Sequence, residues 1–469
     1  MKLMTRLHVN LGATVLALVS LNVCAATAPD TANTELIKRG QYLATAGDCI
    51  ACHSTPGGKP MAGGLSLPTP LGPIVSTNIT PSKTHGIGNY TQAQFNDALR
   101  KGVRVDGQHL YPAMPYTSYA TVTGDDAQAL YAYFMHAVAP VDVTAPATDL
   151  PFPFNIRLSM AAWNLLFLDN KPFVPDASKS PEWNRSAYLT RGLAHCSACH
   201  TPRNMLMAED LSHELGGGDV GAWHAPNITS DANSGVGGWR EREIVDYMRF
   251  GHVADKAQAA GPMAEAVDNS LRHLTADDLR AIATYLKTVP ALRESADTHP
   301  VYAWGAAADD LNSIRGVALP KDLNQMTGPQ LYDAHCATCH QARGQGSFDG
   351  GLPPLFHNTA LGSTNTNNLV MVLLEGIQRH TDSSEVLMPG FKKTLSDQQF
   401  ATLGNYLTKN FGNPKAVVSA EQVKTLRAGG GSSNLVVAAQ AGMGVFIIVI
   451  IAAIFAFTRR KRRIAHGPK

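Results

Sequence analysis

Three copies of the pattern Cys-x-x-Cys-His recur in this chain of 469 residues and use six of its seven cysteines. The copies run from Cys49 to His53, from Cys196 to His200 and from Cys336 to His340. With 7 cysteines and 17 histidines in the whole chain, chance would almost never produce even one copy. Any fold for this chain must therefore accommodate three copies of the same short functional segment.

The chemistry of the pattern indicates covalent haem attachment. Two thiols three positions apart can add to the two vinyl groups of a haem, and the next residue places an imidazole beneath the iron. A redox disulfide needs no histidine in every copy, and a structural zinc ion usually takes four ligands, often from two such pairs. We therefore predict three haem c groups. Their thioether cysteines are Cys49, Cys52, Cys196, Cys199, Cys336 and Cys339, and their axial histidines are His53, His200 and His340.

A thioether as the second axial ligand raises the potential of a haem iron, so a methionine is expected downstream of each motif. The candidates are Met114, Met263 and Met388, which follow their motif histidines by 61, 63 and 48 residues. Each is flanked by proline or glycine, which predicts a loop just before an amphipathic helix. Histidine ligation, for example by His109 or His252, is the alternative.

An internal repeat supports two of these assignments. Residues 86–103 and 235–252 are similar at an offset of 149 residues, and Asn78-Ile79-Thr80 recurs as Asn227-Ile228-Thr229 at the same offset. Met114 and Met263 are also separated by 149 residues. Equivalent methionines in two copies of a repeat favour an equivalent role. The third unit is shorter and more divergent.

Helical patterns enclose each motif, and no sustained strand alternation is present. Helices are predicted over 36–44, 186–193 and 330–334 before the motifs, and over 125–134, 277–286 and 397–407 near the end of each unit. The predicted fold is mainly α, with three tandem class I cytochrome c-like domains, long loops and one C-terminal transmembrane helix. The domains are placed at 35–138, 185–289 and 326–411, and the linkers at 139–184, 290–325 and 412–434.

The first linker is unusually apolar for a connecting segment. Its apolar residues include Phe152, Phe154, Ile156, Leu158, Met160, Trp163, Leu165, Leu166 and Phe167. We expect them to pack between the first two domains; the alternative is a docking surface for a partner protein or for the membrane.

The two ends of the chain indicate export and anchoring. Lys2 and Arg6 precede an apolar stretch and then Ala25, Ala26 and Ala28, which predicts a signal peptide over 1–26 and the loss of Cys24. An uncleaved anchor and lipidation of Cys24 are the alternatives. Residues 435–457 predict a transmembrane helix, and the basic tail at 458–469 is expected on the cytoplasmic side.

The charge is distributed unevenly between the exported body and the tail. Without the signal peptide and the tail, 31 basic residues face 37 acidic ones, so the body is acidic and nucleic-acid binding is not expected. The chain has no zincin helix, GxSxG, dinucleotide or P-loop motif and therefore no recognisable site for an organic substrate. Three haems in one chain instead favour electron transfer.

The order of motifs gives the chain a specific resemblance. The motifs are the three Cys-x-x-Cys-His segments together with Ser76–Pro81, Gly86–Tyr90, Leu110–Tyr116, His195–Asn204 and Met388–Phe391. Over residues 35–427 the chain resembles the three-haem cytochrome c subunits of membrane-bound periplasmic dehydrogenases. These include the subunits of quinohaemoprotein alcohol dehydrogenase and of flavin-dependent gluconate, fructose and sorbitol dehydrogenases.

The resemblance implies a partner and a location. A catalytic subunit with PQQ or FAD oxidises an alcohol, sugar or sugar acid, and the cytochrome passes the electrons to ubiquinone; a small third subunit can accompany them. The location implied is the bacterial inner membrane, with one C-terminal anchor and the haem domains in the periplasm. The anchor favours the flavin-dependent group. The alternatives are a free-standing membrane-tethered multihaem cytochrome c that delivers electrons to a terminal oxidase or reductase, and a self-sufficient haem enzyme such as a peroxidase.

Overall fold

The computed structural model describes residues 31–349, 351–380, 385–430 and 434–465. About 45% of the chain is helical, which confirms the mainly α prediction. Strands within the described ranges form only two-stranded antiparallel hairpins. The predicted signal peptide and the last four residues of the basic tail lie outside the described residues.

The helices and strands follow one another around the three motifs. We call residues 31–138, 181–289 and 325–427 the first, second and third repeats. The first repeat contains α1 (Thr31–Ala46), α2 (Cys49–His53), β1 (Ser66–Leu67), β2 (Ile74–Val75), α3 (Gln92–Lys101), α4 (Tyr116–Tyr119) and α5 (Gly124–His136), and α6 (Ser159–Phe167) follows it. The second contains α7 (Pro181–Tyr188), α8 (Cys196–His200), β3 (Gly218–Val220), β4 (Trp223–Ala225), α9 (Glu241–Phe250), β5 (His252–Val253), β6 (Ala257–Gln258), α10 (Gly261–Asn269) and α11 (Ala276–Leu286).

The third repeat and the C-terminal helix complete the chain. The elements here are α12 (Gly328–His335), α13 (Ala337–His340), α14 (Thr359–Gly362), α15 (Asn367–Glu375), β7 (Gly376–His380), β8 (Glu385–Pro389), α16 (Asp397–Phe411), α17 (Ala420–Arg427) and α18 (Leu435–Ala465). All six helices predicted around the motifs are present. Buried apolar side chains form one cluster shared by the first two repeats and a second cluster centred on the third.

Helix α7 differs from the prediction in a way that explains the spacing of the repeat. It begins at Pro181, inside the predicted linker, and continues after Tyr188 as a single π-turn over Leu189–Leu193. Arg39 and Tyr42 are equivalent to Arg185 and Tyr188 at an offset of 146 residues, whereas the motif cysteines are offset by 147. The wider π-turn accommodates the additional residue.

The first and last helices of the first repeat approach each other closely. A Cβ atom on Gly40 of α1 would lie 1.9 Å from the backbone oxygen of Ala129 in α5, so only glycine permits this crossing. Thr123 caps the N-terminus of helix α5, and its side chain accepts a hydrogen bond from the backbone N–H of Asp126. Thr275 caps α11 in the same way through Asp278. The two caps position Asp126 and Asp278 in the first turns of their helices, at the junction of the two repeats.

Two reciprocal sets of polar contacts join the first and second repeats. Each set consists of a buried carboxylate, an arginine of the same repeat and a tyrosine of the other repeat. In one, Asp126 lies 2.6 Å from Arg39 and accepts from Tyr188 at 2.5 Å; in the other, Asp278 lies 2.7 Å from Arg185 and accepts from Tyr42 at 2.6 Å. The first two repeats are therefore related by an approximate two-fold axis.

The apolar linker corrects another expectation. Leu150 is buried and Phe173 packs against the shared core, but both lie outside the apolar run from Phe152 to Phe167 for which packing was expected. The expectation is wrong for α6 and the residue before it, because Leu158, Leu165 and Leu166 are 75%, 87% and 67% exposed.

We expect Asp278→Asn to destabilise the junction of the first two repeats. Burial opposes ionisation of Asp278, but hydrogen bonds from Arg185 and Tyr42 outweigh it and lower the pKa of this carboxyl below its ordinary 3.8. The loss in unfolding free energy at pH 7 should be about 2 kcal/mol, below that of a fully buried pair because Arg185 is 37% exposed.

The pH dependence and a neighbouring variant test the cause. A lowered carboxyl pKa stabilises the fold above the ordinary pKa, and this stability is lost as the pH falls through the folded-state value. The difference in guanidinium unfolding midpoint between the wild type and Asp278→Asn should therefore shrink below about pH 4. Asp277→Asn changes a side chain that is 85% exposed and should leave the midpoint unchanged. Equal effects of both variants would contradict the proposed contact.

Candidate haem-attachment sites

The three motifs adopt short helical segments that present their cysteines on one side. The first two motifs form α2 and α8, each preceded by a residue in the left-handed region: Asp48 has φ 49° and His195 has φ 35°. In the third, Cys336 immediately precedes α13. Side chains three positions apart lie on the same face of a helical turn, which suits addition of two thiols to one porphyrin edge.

Each motif histidine is oriented by a backbone carbonyl from a following loop. The distances from Nδ1 to oxygen are 2.6 Å for His53 and Thr77, 2.6 Å for His200 and Pro226, and 3.0 Å for His340 and Pro353. A carbonyl can only accept, so Nδ1 carries the proton and Nε2 keeps its lone pair. A hydrogen bond of this kind fixes the tautomer and orientation of a metal-ligating imidazole.

Burial keeps these groups neutral. It lowers the pKa of all three motif histidines, which favours the uncharged imidazole that binds iron. It also raises the pKa of the Cys49, Cys196 and Cys336 thiols to about 12. None of the six motif cysteines forms a disulfide within the described ranges. The apolar surroundings, paired thiols and unprotonated Nε2 atoms fit haem c at all three positions.

The structure places the three candidate methionines in different local settings. All three are partly buried against the apolar clusters. Met114 lies in a loop before α4, as predicted. The loop prediction is wrong for Met263, which is in the first turn of α10, and for Met388, which lies in β8 opposite Ile377. Proline is well tolerated at the start of a helix and at the end of an edge strand, so Pro262 and Pro389 do not require a loop.

Other methionines differ in burial from the candidates. Met248 and Met371, which the sequence assigns to the core, are each 5% exposed, while Met205 is 87% exposed. The alternative ligand His252 is exposed on the short strand β5. His109 is intermediate in exposure, with Nδ1 3.5 Å from the Asn164 amide nitrogen.

The first two motifs are neighbours in space, which the sequence does not reveal. The backbone oxygen of Gly47, two residues before the first motif, accepts a hydrogen bond from Tyr119 at 2.8 Å. The same oxygen lies 3.4 Å from Nε2 of His195, which immediately precedes the second motif. Tyr119 and His195 also stack edge to face, with ring centroids 5.6 Å apart. The first two motif segments therefore meet at this contact.

Helix α10 of the second repeat lies between the first and third repeats. It contacts α2 of the first repeat and β7 of the third. The carboxyl group of Asp48 beside α2 is buried, and its pKa is raised to about 8 by burial and by the charge of Glu265 on α10. The helix that carries Met263 thus touches both an attachment segment and the hairpin that carries Met388.

A buried ion pair fastens α10 to that hairpin. Arg379 of β7 is 2% exposed; its guanidinium donates to Asp268 of α10 at 2.7 Å and to the Phe250 backbone oxygen at 2.9 Å. A Cβ atom on Gly251 would overlap the guanidinium, so this glycine leaves room for it. The pair fixes the position of the third repeat relative to the second.

The chain is similar to a family model and to several known proteins. A model of the family described as "Cytochrome c" matches residues 325–410. The chain is 45% identical to the fructose dehydrogenase cytochrome subunit of Gluconobacter japonicus over 96% of this chain and 97% of that protein. It is 41% identical to the gluconate 2-dehydrogenase cytochrome c subunit of Pantoea cypripedii, over 86% and 92% of the two chains. For the alcohol dehydrogenase (quinone) cytochrome c subunit of Gluconobacter oxydans the identity is 39%, over 89% and 87%.

We expect Arg379→Met to loosen the contact between the second and third repeats. The substitution leaves the Asp268 carboxylate without its cation, so the unfolding free energy should fall by about 3 kcal/mol, measured by guanidinium denaturation. Adding Asp268→Asn should recover part of the loss because no unpaired charge remains. Lys392→Met breaks a half-exposed pair with Glu375 and should cost less than about 1 kcal/mol. Equal losses for Arg379→Met and Lys392→Met would rule out this role.

Proposed function

The chain belongs to the family of cytochrome c subunits of fructose, gluconate and alcohol dehydrogenases, and we propose that it passes electrons from a dehydrogenase catalytic subunit to ubiquinone. The observation that carries this proposal is the threefold recurrence of one local geometry. Each motif combines paired thiols with a histidine whose Nδ1 faces a backbone carbonyl. Three such sites give three haem c groups in one chain, and haem supplies one-electron chemistry.

The axial ligand set follows from the motifs and the repeat. We assign His53 with Met114 to the first haem, His200 with Met263 to the second, and His340 with Met388 to the third. In each case the histidine Nε2 is free to bind iron and the methionine is partly buried. With both axial positions of each iron occupied, no position is open to a small molecule, which favours electron transfer.

The contacts between repeats support a relay with the second haem in the middle. The first two attachment segments meet at Gly47, and α10 extends the contact to the hairpin that carries Met388. We place three class I cytochrome c-like domains at 35–138, 185–289 and 326–411. The first two form a closely joined pair because they share one core.

The partner we favour is a flavin-dependent dehydrogenase that oxidises a sugar or sugar acid. The identities of 45% and 41% to the fructose and gluconate dehydrogenase subunits exceed the 39% to the alcohol dehydrogenase subunit. The catalytic chemistry then resides in the partner.

Helix α18 supports a membrane location. The apolar stretch Leu435–Arg459 has 25 residues and, at 1.5 Å per residue, spans about 38 Å, more than the roughly 30 Å hydrocarbon layer. We propose that it crosses the inner membrane once, with the basic run after Thr458 in the cytoplasm and the haem-bearing body in the periplasm. Export through a signal peptide at 1–26 fits this orientation.

Purification of the full chain from membranes tests the function. We expect it to co-purify with a large flavin-containing subunit, to contain three haem c per chain by the pyridine haemochrome assay, and to reduce ubiquinone when a sugar or sugar acid is supplied. A PQQ-containing partner would instead indicate a quinoprotein dehydrogenase and contradict the flavin-dependent assignment. A chain that purifies alone and accepts electrons from no dehydrogenase would favour the free-standing cytochrome instead.

We expect Met114→Ala to lower the potential of one haem, because loss of the thioether removes the ligand that favours the reduced iron. Axial ligands set haem potentials over roughly 0.8 V, so the shift should be resolved in a spectroscopic redox titration. Ubiquinone reduction should slow while substrate oxidation with an artificial acceptor survives. Met205→Ala, which removes a methionine that is 87% exposed, is the control and should leave all three potentials unchanged.

A further inference from the structure

An apolar surface stands out beside the second repeat. It consists of α6, the segment before it and the turn after the second motif, and we call it the α6 surface. Its exposed side chains are Phe152, Ile156, Leu158, Leu165, Leu166, Met205 and Leu206. Leu165 and Met205 are each 87% exposed. A soluble body rarely leaves so many adjoining large apolar side chains in water, so such a patch usually contacts something else.

The polar side chains of α6 already form hydrogen bonds within the chain. Each polar side chain of the helix has a partner within the body: Ser159 Oγ donates to Ile156 O at 2.6 Å, Trp163 Nε1 donates to Leu206 O at 2.9 Å, and Asn164 accepts from Tyr116 at 2.7 Å and donates to Lys101 O at 3.2 Å. The sequence from Leu158 to Leu168 contains no charged residue. The exposed part of α6 is therefore dominated by Leu165 and Leu166, and the polar side chains of the helix are already engaged within the chain.

This chemistry favours lipid over protein as the occupant. Protein interfaces contain roughly one hydrogen bond per 100–200 Å² and need polar groups at the contact. The boundary between headgroups and acyl chains accepts an apolar helix face without such groups. Trp163, whose indole is partly exposed on α6, is also a residue type enriched at that boundary.

The position of α6 relative to α18 points to the same occupant. Gln440, in the second turn of α18, donates through Nε2 to the backbone oxygen of Phe152 at 2.9 Å. The chain reaches α18 beside the β3–β4 turn, where a Cβ atom on Gly430 would lie 2.9 Å from Gly221 O. The α6 surface thus adjoins the end of α18 that is nearest the body.

We propose that the α6 surface rests on the periplasmic leaflet of the bilayer and inserts Leu165 and Leu166 at the boundary between headgroups and acyl chains. This proposal rests on the membrane anchoring by α18 proposed above. The two contacts together fix the orientation of the body, because a single spanning helix would leave the body free to rotate about the helix axis. The first two repeats are then held close to the membrane surface, where a lipid-soluble electron acceptor resides.

Spin-label accessibility in the haem-loaded complex, reconstituted in phospholipid nanodiscs, tests the proposal. The motif thiols are consumed by haem and Cys24 is lost with the predicted signal peptide, so in this chain a nitroxide label reacts with the introduced cysteine. Three variants carry the label: Leu165→Cys on α6, Ile448→Cys within α18, and Leu319→Cys at an exposed apolar position outside both elements. Each is measured for collisions with oxygen, which concentrates in lipid, and with a water-soluble nickel chelate.

The expected result is a several-fold higher ratio of oxygen to nickel collisions at residues 165 and 448 than at residue 319. A high ratio at 448 with a ratio at 165 equal to that at 319 would overturn the proposal while leaving the anchor intact. Protection of residue 165 from both reagents would also overturn it, since a partner protein would then cover the surface. Low ratios at both 165 and 448 would reject the anchor and the proposal together.

Discussion

Two buried carboxylates determine how the first two repeats meet. Asp126 and Asp278 each lie in the first turn of a helix, bind an arginine of their own repeat and accept a hydrogen bond from a tyrosine of the other. A carboxylate held by a cation and a phenol in a partly buried site has few alternative geometries, so the relation between the repeats is fixed. The first two motif segments meet at Gly47 within the same junction.

Much of the local structure could be predicted from the sequence because it depends on near neighbours. The spacing of two cysteines and a histidine within five residues is independent of the rest of the chain. The helices at 125–134 and 277–286 follow from a capping threonine, acidic residues in the first turn and apolar spacing, and the structure confirms both. The local settings of Met263 and Met388 were not predictable, since a flanking proline is compatible with a helix start, a strand end or a loop.

Contacts between distant segments could not be predicted from the sequence, because they leave no periodic pattern of apolar residues. Tyr42 and Tyr188 fit ordinary amphipathic helices, and nothing in those helices shows that each phenol reaches into the other repeat. Arg379 is a charged residue in a short strand, where exposure is the usual outcome, yet it is almost fully buried between repeats. The apolar residues of α6 would fit a buried helix equally well. Their exposure follows from which elements occupy the space around them, and that is a property of the whole fold.

The reciprocal contacts have the form of an isologous interface, in which both members use the same patch. A true homodimer with such an interface must keep its two cofactor sites identical. Fusion of the two members into one chain removes that constraint while the shared patch keeps them together. With the axial ligands proposed above, one site has its methionine, Met114, in a loop and the other has Met263 in a helix, so each potential can be adjusted without a matching change in its counterpart.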